Sequence, residues 1–301
     1  MDAIDKGILQ HLIANCRITY RELATIFNLS SNAVKKRVKK LEETGIIKGY
    51  RIDLSPAMVG TNHLFGMLAT DGSRDEAEFI EELGSDDKII AAASYTGGNY
   101  ALVAEFREPR DLWNIGAHIR SFDCVKSIET HQLLTESGST MKFSALHIRV
   151  LKTLIDDPRK SIVDIANQSG LSARRVRKLV NDLVESQAIR FSVYLGLGAR
   201  GSIPFLMRIT LDERSTDYQT MISWLKETFS NSVWEIYTSV EAPVLIVLLT
   251  GETLQEVDTM ARTTRRHEHV PSVIIHISKH HNYFPSLRTQ ALQKLIEEVA
   301  D

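Results

Sequence analysis

Cysteine is nearly missing from this chain: its 301 residues include two, Cys16 and Cys124. Two cysteines in no spacing pattern exclude a disulfide framework and a four-ligand zinc site, and they suit a reducing compartment. Long apolar runs are missing too. The longest of note, Val244 to Leu249, falls far short of the roughly 20 residues that span a bilayer, so no membrane partner is expected. The opening residues Met1-Asp2-Ala3-Ile4-Asp5 have no basic stretch leading into an apolar one, so a cytoplasmic location is expected rather than secretion. No P-loop, dinucleotide fingerprint or nucleophile motif occurs.

What is present is an ordinary globular composition, 43% hydrophobic and 25% charged, in a chain long enough for several cores. The net charge of −2 conceals a segregation. Residues 1–54 carry ten Lys/Arg against six Asp/Glu, and residues 143–200 carry ten against five. Two basic segments therefore alternate with two acidic ones, as expected of a protein with a polyanionic partner.

The basic segments are copies of each other. A shift of 142 residues places Leu9 on Leu151, Leu12 on Leu154, Ala24 on Ala166, Leu29 on Leu171, Ser30 on Ser172, Val34 on Val176, Val38 on Val180, Leu41 on Leu183 and Ile47 on Ile189. So long a period marks a duplicated whole unit rather than a solenoid. In each copy an apolar helical stripe (Ile4, Ile8, Leu9, Leu12; Leu146, Val150, Leu151, Leu154) precedes a second helix, over Tyr20–Phe27 or Ser161–Gln168. A tight turn follows. Asn28 and Gly170 stand at its left-handed position, and Ser30 and Ser172 suit the N-cap of a third helix. A small residue (Ala24, Ala166), a turn residue and a β-branched plug (Val34, Val176) at these spacings meet the mechanical needs of a helix-turn-helix. The alternation after the third helix, Gly45 to Ile52 and Ala188 to Tyr194, predicts a strand pair, a wing, in each copy.

At about 100° per residue, the third helix of the first copy turns Val34, Val38 and Leu41 inward. It turns Ser31, Asn32, Lys35, Lys36, Lys39 and Lys40 outward. The second copy turns Val176, Val180 and Leu183 inward, and Arg174, Arg175, Arg177, Lys178 and Asn181 outward. Asparagine can bridge an adenine edge, arginine and lysine can reach guanine, and the remaining cations can neutralise phosphates. Double-stranded DNA is the expected partner, with Asp182, where the first copy has Lys40, weakening the second module.

Each half resembles the Lrp/AsnC (leucine-responsive, feast/famine) family of transcription regulators. The carriers are Ile4-Asp5-Lys6-Gly7-Ile8-Leu9, Leu23-Ala24, Leu29 to Val38, and Leu41-Glu42-Glu43-Thr44-Gly45-Ile46-Ile47. The first half matches along its length and the second more loosely, and the tandem fusion departs from one unit per chain. The acidic segments read strand, helix, strand, strand, helix, strand: 63–70, 75–84, 88–96, 99–106, 110–121, 124–134, and then 203–211, 216–229, 232–239, 243–250, 253–266, 270–280. That order is ferredoxin-like (βαββαβ). The expected fold is thus α+β: two winged helix-turn-helix modules, residues 1–54 and 143–200, alternating with two ferredoxin-like sensing domains, 61–137 and 202–284, and ending in a helix over 285–301. The open sheet faces call for cover, either from each other as an intramolecular pseudo-dimer or from a second chain. The resemblance also implies a small-molecule effector, such as an amino acid, at the loop Thr96-Gly97-Gly98-Asn99-Tyr100, although Tyr100 stands where the family usually has aspartate. The equivalent loop Thr238-Ser239-Val240-Glu241-Ala242-Pro243 has no glycine.

An enzyme reading competes, because a family of tetrapyrrole (siroheme) decarboxylases shares this layout and uses histidines. Five histidines crowd one segment: His267, His269, His276, His280 and His281. Strand alternation puts His276 and His280 on one side and His281 on the other, and no spaced ligand set for a metal is evident. With no catalytic motif and with basic reading helices present, the sequence predicts no enzyme, no metal and no cofactor. A sensor that has lost DNA binding is a third alternative.

Overall fold

The computed structural model of the chain describes residues 1–196 and 198–298. Leu197 and residues 299–301, which fall in the expected second DNA module and terminal helix, lie outside the described residues. The first copy runs α1 (Ala3–Ala14), α2 (Tyr20–Phe27), α3 (Ser31–Glu43), β1 (Ile47–Leu54), the short α4 (Pro56–Val59), β2 (Asn62–Thr70), α5 (Glu76–Leu83), β3 (Ile89–Tyr95), β4 (Asn99–Phe106), α6 (Pro109–Arg120) and β5 (Val125–Leu133). The second runs α7 (Ala145–Leu154), α8 (Ile162–Ser169), α9 (Ala173–Glu185), β6 (Ile189–Leu195), β7 (Ile203–Thr210), α10 (Tyr218–Thr228), β8 (Val233–Thr238), β9 (Val244–Gly251), α11 (Leu254–Arg265) and β10 (Ser272–Tyr283), followed by α12 (Leu287–Glu298). Contacts gather these elements into two compact units. One holds residues 1–60, 137–200 and the chain from 288 onward; the other holds 61–136 and 201–287.

The first unit contains both helix-turn-helix modules. Asn28 ends α2 in the left-handed conformation at φ 51°, and Gly170 ends α8 at φ 66°. Each lets the next residue's N–H reach back to the alanine carbonyl, Leu29 to Ala24 at 2.9 Å and Leu171 to Ala166 at 3.2 Å. Ser30 and Ser172 then cap α3 and α9 by accepting from the Ala33 and Arg175 N–H groups. Behind the turns, Ile8, Leu9, Leu12, Leu23, Val34 and Val38 are fully buried in one copy, and Leu151, Leu154, Ile165, Val176 and Leu183 in the other.

The wing differs from the expected strand pair. Each module forms one strand, and β1 pairs antiparallel with β6 across the duplication. Tyr50 lies opposite Val193, and Arg51 opposite Ser192. Because Tyr50 corresponds to Ser192 and Arg51 to Val193 in the 142-residue shift, a pseudo-twofold axis passes between these two pairs. The reason is backbone saturation: each strand presents a row of N–H and C=O groups that the other copy's strand satisfies. Further ties join the two copies. The Ser55 N–H donates to Ala188 O at 2.8 Å, and the Gly196 N–H to Ile46 O at 2.9 Å. Arg17 donates to Pro158 O at 2.5 Å and Lys160 O at 3.1 Å. Its counterpart Arg159 lies over the rings of Tyr20 and Tyr50, 4.9 and 5.2 Å from their centroids. In α12, Arg288 donates to Leu54 O at 3.4 Å, and Leu292 and Ile296 are buried.

The second unit is an eight-stranded sheet in the order β5-β2-β4-β3-β10-β7-β9-β8. It consists of two βαββαβ repeats joined edge to edge where β3 pairs with β10. Helices α5 and α6 cover Leu68, Phe79, Leu83, Leu102, Ile115 and Ile119, while α10 and α11 cover Phe205, Met207, Met221, Leu225, Val247 and Val257. The opposite face of the sheet encloses a third core shared by both repeats: Phe65, Tyr95, Ala101 and Leu133 from the first, Leu206, Val244 and Ile246 from the second. The apolar face left over by each repeat is thus covered within the chain. The sheet curls until its edge strands touch, where Leu133 bridges Ser239, the Leu134 N–H donates to Thr238 O, and the Val240 N–H donates to Gln132 O.

Each large apolar side chain of the shared core contributes roughly 1.5–3 kcal/mol by burial, so one repeat alone would expose a cohesive patch. A fragment of residues 1–140 is expected to self-associate in sedimentation experiments where the full chain does not; a fragment that stays monomeric at high concentration contradicts the shared core. A second expectation concerns Lys6, buried in α1 where the second copy has Ile148. Burial pushes the Lys6 ammonium down to about 7 from its ordinary 10.5. The unfolded chain then binds more protons than the folded one between these values, so stability rises with pH across that window. Lys6→Ile should raise stability at pH 7 and flatten that rise, as read by denaturant unfolding at pH 7 and pH 9.

Candidate functional site

Helices α3 and α9 each present an exposed polar face in the first unit. Ser31, Asn32, Lys35, Lys36, Lys39 and Lys40 are all exposed, as are Arg174, Arg175, Arg177, Lys178 and Asn181. The same turn geometry that buries Val34, Val38 and Leu41 in α3, and Val176, Leu179, Val180 and Leu183 in α9, places them outward. Little restrains these cations. Lys39 meets Glu43 at 3.3 Å in an exposed i,i+4 pair, which contributes a few tenths of a kcal/mol and yields readily to a stronger anion. Arg37 is different. It is anchored inward by Asp2 and Asp5 at 2.7 and 2.6 Å, and these hydrogen bonds hold the guanidinium in its charged form while bracing α3 against α1. The second copy replaces Arg37 with buried Leu179 and turns Asp182 to within 3.8 Å of His147.

The glycine loop of the second unit is ordered by its own contacts. Gly97 and Gly98 both adopt left-handed backbone, at φ 77° and 71°, which side-chain-bearing residues resist. The Gly98 carbonyl accepts from the Thr70 N–H at 2.9 Å and the Thr70 hydroxyl at 2.8 Å, and Asn99 donates to Thr96 O at 2.9 Å. Thr96 and Gly97 are exposed, and Gly98 and Asn99 half-buried. Tyr100 does not belong with them as an effector contact. It is 2% exposed and packs edge-on against Phe79 at 4.9 Å, because strand alternation directs it into the core beneath α5. In the second repeat the corresponding loop is tied to β5. Ser239 lies 3.0 Å from His131 Nδ1, and the Glu241 carboxylate accepts from the Gln132 N–H at 2.9 and 3.1 Å.

Sequence reading missed a polar group on the inner face of the sheet. His131 lies opposite Phe65, and His276 opposite Leu206, so the two histidines occupy matching places in the two repeats. Glu129 accepts from Arg208 at 2.6 Å and meets His131 Nε2 at 3.1 Å, while Arg208 Nε is buried with no hydrogen-bond partner. Burial, reinforced by the Arg208 charge, lowers the His276 pKa. Nothing local in sequence signals this group, since its members lie on three strands.

The expected alternation along β10 also fails. A bulge between Ser278 and His281 shifts the register. His276 meets Tyr95 on the inner face, whereas His280 faces α5, 3.9 Å from Glu76. His267 and His269 pack on each other in the loop before β10, with His267 against Trp224. Among the described residues no group of three or more His, Cys, Asp or Glu could hold a metal ion. Among them, too, no helix is long and apolar enough to cross a membrane.

A family model described as winged helix-turn-helix DNA-binding matches residues 1–48 and again 143–190. The regulatory protein AsnC of Escherichia coli is 30% identical over 157 residues, which is 51% of this chain and 95% of AsnC. An uncharacterized HTH-type transcriptional regulator of Pyrococcus horikoshii is 28% identical over 136 residues, 44% of this chain and 91% of its own length. Among solved structures, the siroheme decarboxylase NirDL superposes over the whole of both chains with a TM-score of 0.55 at 15% identity, a likeness of fold. That neighbour overturns the expectation that the chain is not an enzyme, because an architecture spanning its full length is one that carries catalysis. The family itself is settled by the match to AsnC along nearly all of that protein's length, together with two matched DNA-binding modules. The chain belongs to the Lrp/AsnC family of transcription regulators, as two family units fused in tandem.

Proposed function

We propose that the chain regulates transcription by inserting α3 and α9 into the major groove of double-stranded DNA, with its paired ferredoxin-like domains acting as the sensing unit. The observation that carries this reading is the outward stripe on each third helix, exposed, rich in Lys or Arg and bearing one asparagine. Asn32 and Asn181 offer the bidentate amide that pairs with an adenine edge; Arg174 and Arg177 offer the fork that pairs with guanine. Lys35, Lys36, Lys39, Lys40, Arg175 and Lys178 supply phosphate contacts, and Ser31 lies in the first turn of α3, where helix N–H groups favour an anion. Residues 1–54 and 143–200 are assigned to DNA, 61–137 and 202–284 to sensing. The first loop, Thr96 to Asn99, with Thr96 and Gly97 exposed, is the place for a small-molecule effector, since the second loop is occupied by its own contacts to β5.

Log affinity for DNA should fall linearly and steeply with log salt, because each phosphate contact releases counterions. Lys36→Ala or Lys39→Ala should weaken binding and flatten that slope by about one unit per lost phosphate contact. Binding unchanged after replacement of Lys35, Lys36, Lys39 and Lys40 together would remove the first module from the reading.

A second reading is favoured by the full-length likeness to a siroheme decarboxylase, a protein also solved with an iron-uroporphyrin III analogue. Under it, the sensing unit acts on an iron tetrapyrrole. Arg208, His131 and His276 on the inner sheet face would meet the substrate's carboxylates, and a histidine would protonate the carbon that loses carbon dioxide. Titrating the full chain with an iron tetrapyrrole should then shift the Soret absorbance, and Arg208→Ala should weaken that binding about tenfold or more. An unchanged spectrum rejects the catalytic reading and leaves the regulatory one standing.

A further inference from the structure

We infer that one chain reads a single, non-palindromic DNA site, with its two modules facing unlike half-sites and the second module reading the more guanine-dependent half. The inference rests on the proposed DNA binding and adds the nature of the site. Two observations carry it. First, the modules are held together as a pair by the chain itself. The β1–β6 ladder extends through seven registered pairs from Ile47↔Leu195 to Leu54↔Ile189. Arg17 grips the carbonyls of Pro158 and Lys160, and Arg159 lies over Tyr20 and Tyr50. The pseudo-twofold axis through Tyr50/Arg51 and Ser192/Val193 is the relation that two identical subunits would use to meet an inverted repeat. Here one chain supplies both sides.

Second, the side chains on the two sides of that axis differ where bases would be read. The shift by 142 residues pairs Asn32 with Arg174, Lys35 with Arg177 and Lys39 with Asn181, every one of them exposed. Arginine presents a rigid planar fork that matches the O6 and N7 of guanine, whereas lysine is a mobile point charge with looser preference. The asparagine also changes position, from the first turn of α3 to the third turn of α9, so an adenine contact moves along the groove. Lys40 becomes Asp182, which repels phosphate where the first copy attracts it. A symmetric operator would satisfy one module and mismatch the other.

The test is selection of bound duplexes from a random pool with the full chain, followed by binding of the winning site and its base substitutions. The expected result is a site with two unequal halves. Arg174→Ala with Arg177→Ala should lower discrimination at the guanine-dependent half by about tenfold or more and leave the other half unchanged. Both residues are exposed, so folding is not at issue, and a complementary variant tests the same idea by gain. Asn32→Arg, Lys35→Arg and Lys39→Asn together copy the three base-reading positions of the second face onto the first, and should convert the preferred site into an inverted repeat. Recovery of a perfect inverted repeat with the unaltered chain would overturn the inference while leaving DNA binding intact, because it would mean that like modules from two chains pair. Binding with no sequence preference would overturn it as well. Failure to bind any duplex at low salt would remove the underlying DNA reading along with it.

Discussion

A strand whose second edge faces nothing leaves a row of N–H and C=O groups unsatisfied, and a sheet with one bare apolar face leaves hundreds of square ångströms seeking cover. Each copy of this duplicated chain presents both problems, and each problem is solved by the other copy. In the first unit β1 pairs with β6; in the second β3 pairs with β10, and Phe65, Tyr95 and Leu133 pack with Leu206, Val244 and Ile246. Single-unit relatives would need a second subunit for the same cover. Fusion makes the partner permanent and its effective concentration independent of how much protein is present.

The helix-turn-helix modules were legible because their determinants are local. A left-handed residue, a serine cap and an i, i+3, i+4 apolar stripe act within a few residues, so Asn28, Ser30 and Val34, with Gly170, Ser172 and Val176, could be placed from their spacing. The ferredoxin-like order was legible for the same reason, since its strands alternate with amphipathic helices. What escaped was set by distant partners. A wing of two strands and a strand that pairs across the duplication have the same alternation. The difference lies in whether residue 50 meets a neighbour or Val193.

The candidate sites divide along the same line. All the outward residues of α3 and α9 lie where helical geometry directs them, because a helix fixes direction once its buried face is known. Strand residues were less secure. Tyr100 sits in a loop-like sequence context but is already on the β4 ladder, and its ring enters the core against Phe79. The bulge at Ser278–His281 reverses the side on which His280 emerges, and a single added residue of this kind leaves no compositional trace. The group of His131, Glu129 and Arg208 assembles from strands of both repeats and could be found only once the sheet had been closed.

Permanent pairing also changes what the two copies can become. In a homodimer any substitution appears twice, so both third helices and both loops must serve one sequence. In a fused pair each position is free of its counterpart. Some core positions keep their residue types, with Val34 on Val176 and Leu41 on Leu183 all buried, whereas buried Lys6 stands where the second copy has Ile148. The exposed faces of α3 and α9 differ, with Asn32 against Arg174 and Lys35 against Arg177, and one loop keeps two left-handed glycines while the other ties itself to β5 through Ser239 and Glu241. The seams have diverged too, since β3 and β10 form a ladder from Tyr95 to Ala91 whereas β5 meets the end of β8 and the residues after it through the Leu133–Ser239 bridge and its flanking hydrogen bonds. That second seam, tied by the Leu134 N–H to Thr238 O and the Val240 N–H to Gln132 O, lies beside Glu129 and His131 on β5. A pair of identical subunits could not confine such a difference to one side, because symmetry would repeat it at the other.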